Sequence, residues 1–373
     1  QTKILGSVYA SYDIIDGLTF KMQYGFDRAT TENNIFRPSY NEGINNRPAA
    51  YVQQGTNTFS SNNFTGSLNY SKTFNENHNL NLLFVAEEFN SSARNTSANN
   101  ENPITDAIPI VQGEAQVNNA LYEYALVSYI GRASYDYRGK YLLTASLRRD
   151  GSSRFGSNNR WGTFPAVSAG WVLSEEDFLK DSNSVSNLKL RASWGLTGND
   201  GSNDYVYSAG LIQGYNYIGF GYNDGWSNFG AANPDLKWEE STQANLGLDL
   251  GFLNNALTIS LEYYNIDSKD IIVPIPNVAS DGLGAPFTQR NGATAETNGF
   301  EASIAYNHDK GGDFSWSASM NLGTAKNKVT DLGESLQFIP SSTFEGENLQ
   351  RITVGESLFY FYGLQTDGIY QTQ

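Results

Sequence analysis

Apolar residues fall on every second position along much of the chain. In residues 241–267, STQANLGLDLGFLNNALTISLEYYNID, leucines and other apolar residues alternate with small or polar ones on both sides of a central Asn-Asn-Ala. A period of two is typical of a strand with one apolar and one polar face. Divided at clusters of Gly, Asn, Asp and Ser, the pattern predicts twelve strands: about 3–14, 18–30, 63–74, 79–91, 120–137, 141–150, 161–173, 188–197, 239–253, 256–268, 296–308 and 313–325.

The stretch around Asn254–Asn255 also predicts how two of these strands pair. If these residues form a two-residue turn, the numbers of paired residues add up to 509. One face of the hairpin is then a continuous row of hydrocarbon side chains that includes Leu248. The other face is small, polar or charged, and it carries three candidate lumen-lining residues: Asn245, Asp249 and Glu262.

Strand length and the spacing of the connections favour a membrane barrel. Most predicted strands have 10 to 15 residues, whereas globular strands have about 5–6 and a tilted membrane-spanning strand needs about 9–11. Short connections are predicted at 15–17, 75–78, 138–140, 254–255 and 309–312, with a longer member at 174–187 that fits one helical turn. Long polar loops are predicted between them, at about 31–62, 92–119, 198–238, 269–295 and from 326 onward. Outer-membrane barrels have this asymmetry, with short periplasmic turns and long extracellular loops.

Aromatic residues near the short turns point in the same direction. Tyrosine and tryptophan prefer the headgroup level of a membrane, where they form girdles around a barrel. Periodicity alone also fits a large soluble sheet with one face on a core and one in water. We therefore predict an all-β, antiparallel transmembrane barrel section with about twelve long strands. The aromatic residues concerned are Tyr135, Tyr137, Tyr141, Phe252, Tyr306, Phe314 and Trp316.

Composition and charge narrow the function classes. The 373 residues carry a net charge of −15, which disfavours nucleic acid as a partner because phosphate binding needs a basic surface. The chain has no cysteine and only two histidines, His78 and His308, both in predicted turns, so we expect no enzyme activity and no zinc site. Asp200 and Asp204, in GNDGSND, are a candidate calcium pair, although the same composition is typical of a plain turn.

The loop 201–230 contains the candidate contacts for a substrate or an external lid. Aromatic faces stack on sugar rings or peptide side chains, and Tyr and Asn add hydrogen bonds. The alternative is a long loop that packs on its own aromatic residues. The candidates are Tyr205, Tyr207, Tyr215, Tyr217, Phe220, Tyr222 and Trp226. Trp238, beside NPDLK, is expected to anchor the membrane rim.

The motif RRDGSSRFG adds two further candidates for the lumen wall. Arg148 and Asp150 share the polar parity of their strand, which predicts that both face the lumen. There they would line a path for the substrate or pair with each other within the wall.

Five stretches together resemble one family. They are LRRDGSSRFG (147–156), NPDLKWEESTQANLGLDLGFLNNAL (233–257), IDSKDIIV (266–273), TNGFEASIAY (297–306) and VGESLFYFYGLQTDGIYQ (354–371). In this order they resemble the SusC/RagA branch of TonB-dependent outer-membrane transporters of Bacteroidetes. Residues 1–146 fit the same barrel by their hairpin pattern.

The resemblance implies a 22-stranded barrel in the cell outer membrane, closed by a plug, coupled to TonB and capped by a SusD-like lipoprotein. Such transporters import glycans or oligopeptides. From the residues of this chain we expect no cofactor. Residues 1–373 are then expected to be a middle section of the barrel, with the plug and the terminal strand outside it. Two alternatives stay open: a passive porin or adhesin barrel, and a soluble carbohydrate-binding β-protein.

Overall fold

The computed structural model describes the chain except a set of short segments. These are residues 102, 104, 106–107, 183, 209, 220, 229, 278–279, 281, 283–286, 309–313, 334–336, 345–346, 364–367 and 369–373. The side chains of 211–219, 221–228, 340–344 and 347–348 also lie outside the description.

The described residues form strands almost throughout. The first ten are β1 (Thr2–Ile15), β2 (Leu18–Arg37), β3 (Tyr40–Glu42), β4 (Asn45–Arg47), β5 (Tyr51–Phe74), β6 (His78–Asn100), β7 (Gln116–Tyr137), β8 (Tyr141–Ser152), β9 (Trp161–Val172) and β10 (Val185–Asn199). The others are β11 (Leu211–Gly219), β12 (Gly221–Asn228), β13 (Glu239–Phe252), β14 (Leu257–Pro276), β15 (Phe287–His308), β16 (Trp316–Asp331), β17 (Phe338–Phe344), β18 (Glu347–Thr353) and β19 (Tyr360–Phe361). A short 3₁₀ helix, Leu173–Glu175, follows β9, within the connection where one helical turn was expected.

The twelve predicted strands are confirmed as one large antiparallel sheet. Its order is β1-β2-β5-β6-β7-β8-β9-β10-β13-β14-β15-β16, so strands that follow one another in this series are neighbours. Smaller sheets are formed by β3–β4, by β11–β12 and by β17–β18–β19. Among the described residues, no helix has the length and apolar character needed to cross a membrane.

Several strands extend further into the long connections than the sequence predicts. β2 continues to Arg37 rather than 30, β5 begins at Tyr51 rather than 63, and β14 continues to Pro276 rather than 268. The extensions of β2 and β5 are rich in Asn, Ser and Thr, that of β14 reads KDIIVPIP, and none of the three alternates regularly between apolar and polar residues. They still pair because the hydrogen bonds of a ladder come from the backbone and do not need an apolar face.

Chain contacts divide the protein into two compact units. Unit 1 comprises residues 1–69, 83–129 and 150–153, and unit 2 comprises 70–82, 130–149 and 154–373. In unit 1, Ala50 and Val52 are buried, and Arg28 donates hydrogen bonds to Ser61 O and to Asn62 Oδ1. Unit 2 contains the polar network and the aromatic cluster described below.

The β13–β14 hairpin has the predicted register. Phe252 pairs with Leu257 and Leu248 with Leu261, and every pair between the strands adds up to 509. Asn254 and Asn255 both have positive φ, 57° and 62°, as a type I′ turn requires, and asparagine tolerates this conformation well.

The apolar face of unit 2 is open to the surroundings. Leu246 is 63% exposed and Leu322 is 56% exposed. Side chains of this size are normally inside a water-soluble protein, so an exposed band of them is what strands facing lipid require. Register pairs connect one such row across six strands: Trp171, Leu190, Leu248, Leu261, Ala302 and Leu322.

The turn that joins β9 to β10 holds a carboxylate among interfacial aromatic groups. The Tyr141 hydroxyl and Trp171 Nε1 both donate to Glu176 Oε1, at 2.7 and 3.0 Å. Lys140 Nζ lies 3.2 Å from Glu176 Oε2. The hydrogen bond from Tyr141, followed by those from Trp171 and Lys140, lowers the pKa of Glu176 to about 2. The ring of Tyr141 stacks on that of Trp171, with centroids 6.3 Å apart.

Candidate functional site

A row of charged side chains crosses the polar face of unit 2 at one level. Register pairs place Arg191 of β10 opposite Gly247 of β13, Gly247 opposite Glu262 of β14, and Glu262 opposite Glu301 of β15. Residues directly opposite each other in antiparallel strands share a face. The row therefore lies on the side of the sheet away from the exposed leucines.

Arg191 binds two carboxylates from two other strands. Its Nη1 lies 2.7 Å from Glu262 Oε2, and its Nε lies 3.2 Å from Asp249 Oδ2. Ser260 Oγ donates to Asp249 Oδ1 at 2.7 Å, and Asn245 Nδ2 donates to Glu262 Oε1 at 2.9 Å. The structure thus brings three of the predicted lumen-lining residues together around an arginine that was not among the candidates.

Arg191 reaches these carboxylates by passing over Gly247. A Cβ at residue 247 would lie 2.5 Å from Arg191 Cζ and 2.6 Å from its Nε, closer than real Cβ contacts. The sequence signal for this arrangement is the position of Arg191 on the polar parity of its strand, together with the glycines in LGLDLGF. These features predict the contact only once the register of β10 against β13 is known.

An open cavity of about 330 Å³ lies beside Arg191 on the polar face. Lys189 lines it and is directly opposite Asp249, but that carboxylate is already held by Arg191 and Ser260. Asn245 also lines it, and its Oδ1 accepts no hydrogen bond from any described residue. The cavity therefore offers an ammonium group and an amide oxygen to a polar group that enters.

A second cavity of about 290 Å³ lies further along the same face. It is lined by the adjacent carboxylates Glu262 and Glu301, with Ser260, Ser303 and Asn321 around them. Of these two glutamates, Arg191 pairs only with Glu262, so this end of the row is negative and the Lys189 end is positive. In the described part of the chain, no group of three or more His, Cys, Asp or Glu residues is placed to hold a metal ion.

Arg148 and Asp150, the other predicted wall residues, lie at the end of β8. Arg148 is half-buried and Asp150 is buried, whereas Leu143 and Leu147, of the opposite parity, are exposed. The alternation along β8 agrees with the predicted parity.

Two of the motifs quoted above meet in a buried aromatic cluster. The rings of Phe155 and Trp238 have centroids 5.3 Å apart, and Phe164 lies 5.4 Å from Trp238. Trp238 Nε1 donates to Arg160 O at 3.1 Å, and all three rings are buried. The prediction of Trp238 as a rim anchor is therefore wrong, because its ring completes a core between two connecting segments.

Arg154 connects the segment after β10 to this region. Its Nε lies 3.0 Å from Asp204 Oδ1, and its Nη1 lies 3.7 Å from Asp200 Oδ1 and donates to Asp200 O at 3.1 Å. The two carboxylates considered as calcium ligands are therefore in contact with a guanidinium group. Of the candidate contacts that follow, Tyr205 is 46% exposed and Tyr207 is half-buried.

The expectation of one continuous loop over 198–238 is wrong, because β11 and β12 form a hairpin within it. Their register pairs Ile218 with Tyr222 and Gln213 with Trp226. Tyr, Ile and Trp have high β-propensity, and in these two strands that preference outweighs the glycines and asparagines that suggest a loop. The candidates Tyr215 and Tyr217 lie in β11, and Tyr222 and Trp226 lie in β12. The side chains of these four residues, and all of Phe220, lie outside the described part of the structure.

Comparison with known proteins gives a family and several relatives. Residues 2–364 match the family described as "TonB dependent receptor-like, beta-barrel". TonB-dependent receptor P3 of Formosa agariphila is 35% identical over 377 residues, which cover 97% of this chain and 37% of that protein. TonB-dependent receptor SusC of Bacteroides thetaiotaomicron is 39% identical over 211 residues, which cover 56% of this chain and 21% of that protein.

A solved structure shares the architecture closely. A chain from "Structure of the RagAB peptide transporter" superposes with a TM-score of 0.84 and 26% identity, covering 95% of this chain and 39% of its own. The chain thus spans about a third of the length of the curated relatives that match nearly all of it.

Proposed function

The chain belongs to the TonB-dependent receptor-like β-barrel family of the outer membrane, and from this premise we propose that its protein imports large nutrients. The cargo class is glycans or oligopeptides, and the energy is supplied through TonB. The family is one of transporters and receptors rather than enzymes.

The observation that carries this proposal is the division of one sheet into a lipid-compatible face and a hydrated, charged face. Leu246 is exposed on the first face, and on the second Arg191 holds Asp249 and Glu262 in place. A wall of this kind stands in lipid on one side and lines an aqueous lumen on the other. Fixed charges that are already paired hold a polar cargo less tightly than free charges, which suits passage along the wall.

We place the energy-coupling parts in other regions of the protein. TonB would act through a plug domain, and a SusD-like surface lipoprotein would cover the barrel from outside. The family resemblance supports both partners. The structural similarity to a protein named as a peptide transporter supports an oligopeptide cargo, and glycans stay a candidate cargo from the resemblance to the SusC branch.

A growth experiment with the intact gene tests this function. The receptor gene is deleted from its host and restored on a plasmid, and growth is measured on defined oligopeptides or on oligosaccharides as the sole carbon source. We expect at least one substrate above the porin size limit to require the receptor, and to require TonB as well. Growth that needs the receptor but not TonB would favour a passive barrel.

A pull-down experiment addresses the partner. The intact receptor is purified in detergent from outer membranes, and the proteins that co-purify are identified by mass spectrometry. A stoichiometric surface lipoprotein is expected. Recovery of the receptor alone under several mild detergents would contradict the proposed lid.

A further inference from the structure

An arginine on the small sheet β17–β18–β19 packs against two aromatic rings. Arg351 Cζ lies 3.4 Å from the ring centroid of Tyr362 and 4.4 Å from that of Phe338. Its Nε is buried and finds no acceptor, and the guanidinium group forms no ion pair with any residue that the structure describes. Because this Nε is closed to solvent, a ligand would reach the guanidinium group through its Nη atoms, where a charge-assisted hydrogen bond is stabilising.

The sheet that carries Arg351 is fixed on its other face. Ile339 and Ile352, the chain neighbours of Phe338 and Arg351, are 4% and 8% exposed. They belong to one core with residues at the loop-side ends of the long strands, Val273, Ala293, Val329 and Leu332. Because successive residues of a strand point to opposite faces, Arg351 lies on the face turned away from this core.

The segment between β18 and β19 fastens the sheet further. Gly355 N donates to Val329 O at 2.8 Å, and Val329 N donates to Glu356 O at 2.9 Å. Leu358 N donates to Asn327 Oδ1 at 2.7 Å. The Arg351 group is therefore held on a rigid support, as a preorganised binding group requires.

We propose that Arg351, Phe338 and Tyr362 form a binding subsite for a carboxylate group of the cargo. Two rings packed against the guanidinium group favour a ligand that approaches in the plane of the group. A carboxylate pairs with the guanidinium group through two parallel N–H···O bonds in the same plane, and a flat group fits beside the two rings better than a tetrahedral sulfate or phosphate.

The carboxylate has two sources within the proposed cargo. One is the C-terminus of an oligopeptide, and the other is a uronic acid of a glycan. The inference rests on the proposed uptake function for its cargo, but it is tested by binding in detergent, which needs no TonB. Failure of binding would overturn the subsite and leave the uptake proposal standing.

The test measures binding of matched probes to the intact receptor purified from outer membranes. A hexapeptide with a free C-terminus is compared with its C-terminal amide, and tri-galacturonic acid with its methyl ester, by calorimetry. Wild-type receptor is expected to bind one of the charged probes about tenfold or more tightly than its neutral partner, as loss of a charge-assisted pair implies. The probe pair that shows this difference identifies the source of the carboxylate. Equal binding of charged and neutral forms in both pairs would overturn the proposal without recourse to any variant.

Variants then locate the site. Arg351→Gln is expected to abolish the difference between charged and neutral probes, and Arg351→Lys to keep part of it, because lysine retains charge but not the planar fork. Arg47→Gln is the matched control, since among the described residues the guanidinium carbon of Arg47 lies over a single ring, 5.6 Å from the centroid of Tyr40. An unchanged difference in folded Arg351→Gln receptor would also overturn the proposal.

Discussion

Arg191 lies directly over Gly247, so that a single methyl group on residue 247 would collide with the guanidinium group. Through this gap the side chain of β10 crosses β13 and reaches Glu262 on β14, at 2.7 Å. One absent side chain thus allows three strands to share one ion-pair network. The polar wall depends on a glycine as much as on its charges.

Gly247→Val is expected to displace Arg191 and leave Glu262 without its cation. The free energy of unfolding should fall by about 1–3 kcal/mol, the usual cost of forcing extra volume into a packed site. Urea unfolding of the receptor in lipid vesicles, followed by tryptophan fluorescence, measures this change. Gly131→Val is the control, because nothing lies within 4 Å of a Cβ at that residue. Equal loss in both variants would show that a general effect of the added side chain, not the collision with Arg191, is responsible.

Leu248→Arg tests which face of the sheet meets lipid. Leu248 pairs with Leu190 on one side and with Leu261 on the other, in the middle of the apolar row. An arginine at the bilayer midplane costs about 2–4 kcal/mol, whereas near the interface it costs about 0–1 kcal/mol. Leu253→Arg, in the short turn after β13, is therefore the matched control and should be nearly neutral. Folding yield into vesicles measures both variants, and a wild-type yield for Leu248→Arg would contradict the assigned orientation.

The strand pattern could be predicted from the sequence because successive side chains of a strand point to opposite faces. A sheet between lipid and an aqueous lumen therefore shows apolar residues at every second position. The hairpin at Asn254–Asn255 is the clearest case, since two asparagines suited to positive φ lie between two alternating stretches. Their position sets the register of β13 against β14, and the register sets which residues share a face. For this reason Asp249 and Glu262 could be placed on the polar face without coordinates.

Contacts between non-consecutive segments could not be predicted in this way. The pairing of Arg191 with Glu262 requires the register of β10 against β13, across a long connection that contains the β11–β12 hairpin. The burial of Trp238 depends on Phe155 and Phe164, which are more than 70 residues away in sequence. Apolar alternation is a local signal, and it does not report which connecting segments meet.

The lowered pKa of Glu176, in the turn between β9 and β10, predicts that the stability of the receptor depends on pH. Its folded-state pKa is lowered to about 2 from 4.5, so its hydrogen bonds contribute fully above pH 4.5 and are lost as the pH falls through about 2. Wild-type receptor should lose thermal stability between pH 5 and 2. Glu176→Gln should remove this part of the loss while lowering stability at pH 7. Apparent melting temperatures from the heat-dependent gel shift of the folded barrel give the comparison.

Glu175→Gln is the control for this experiment. Glu175 is the adjacent residue and is exposed, so its substitution changes the net charge equally without touching Tyr141 or Trp171. Its pH profile should follow that of the wild type. Parallel profiles for wild type and Glu176→Gln would contradict the assigned role of Glu176.

Arg154→Ala is expected to release the segment that carries Tyr205 and Tyr207. Arg154 contacts Asp200 and Asp204, and without it two carboxylates lose their cation and the segment opens more often. Chymotrypsin added to intact cells should then cut after these two tyrosines several-fold faster, as followed by immunoblot. Arg149→Ala is the matched control, since Arg149 lies over the ring of Trp161 and not in this segment. A different result would favour calcium as the partner of these carboxylates. In that case a calcium chelator would speed up cleavage of the wild-type receptor, and Arg154→Ala would not.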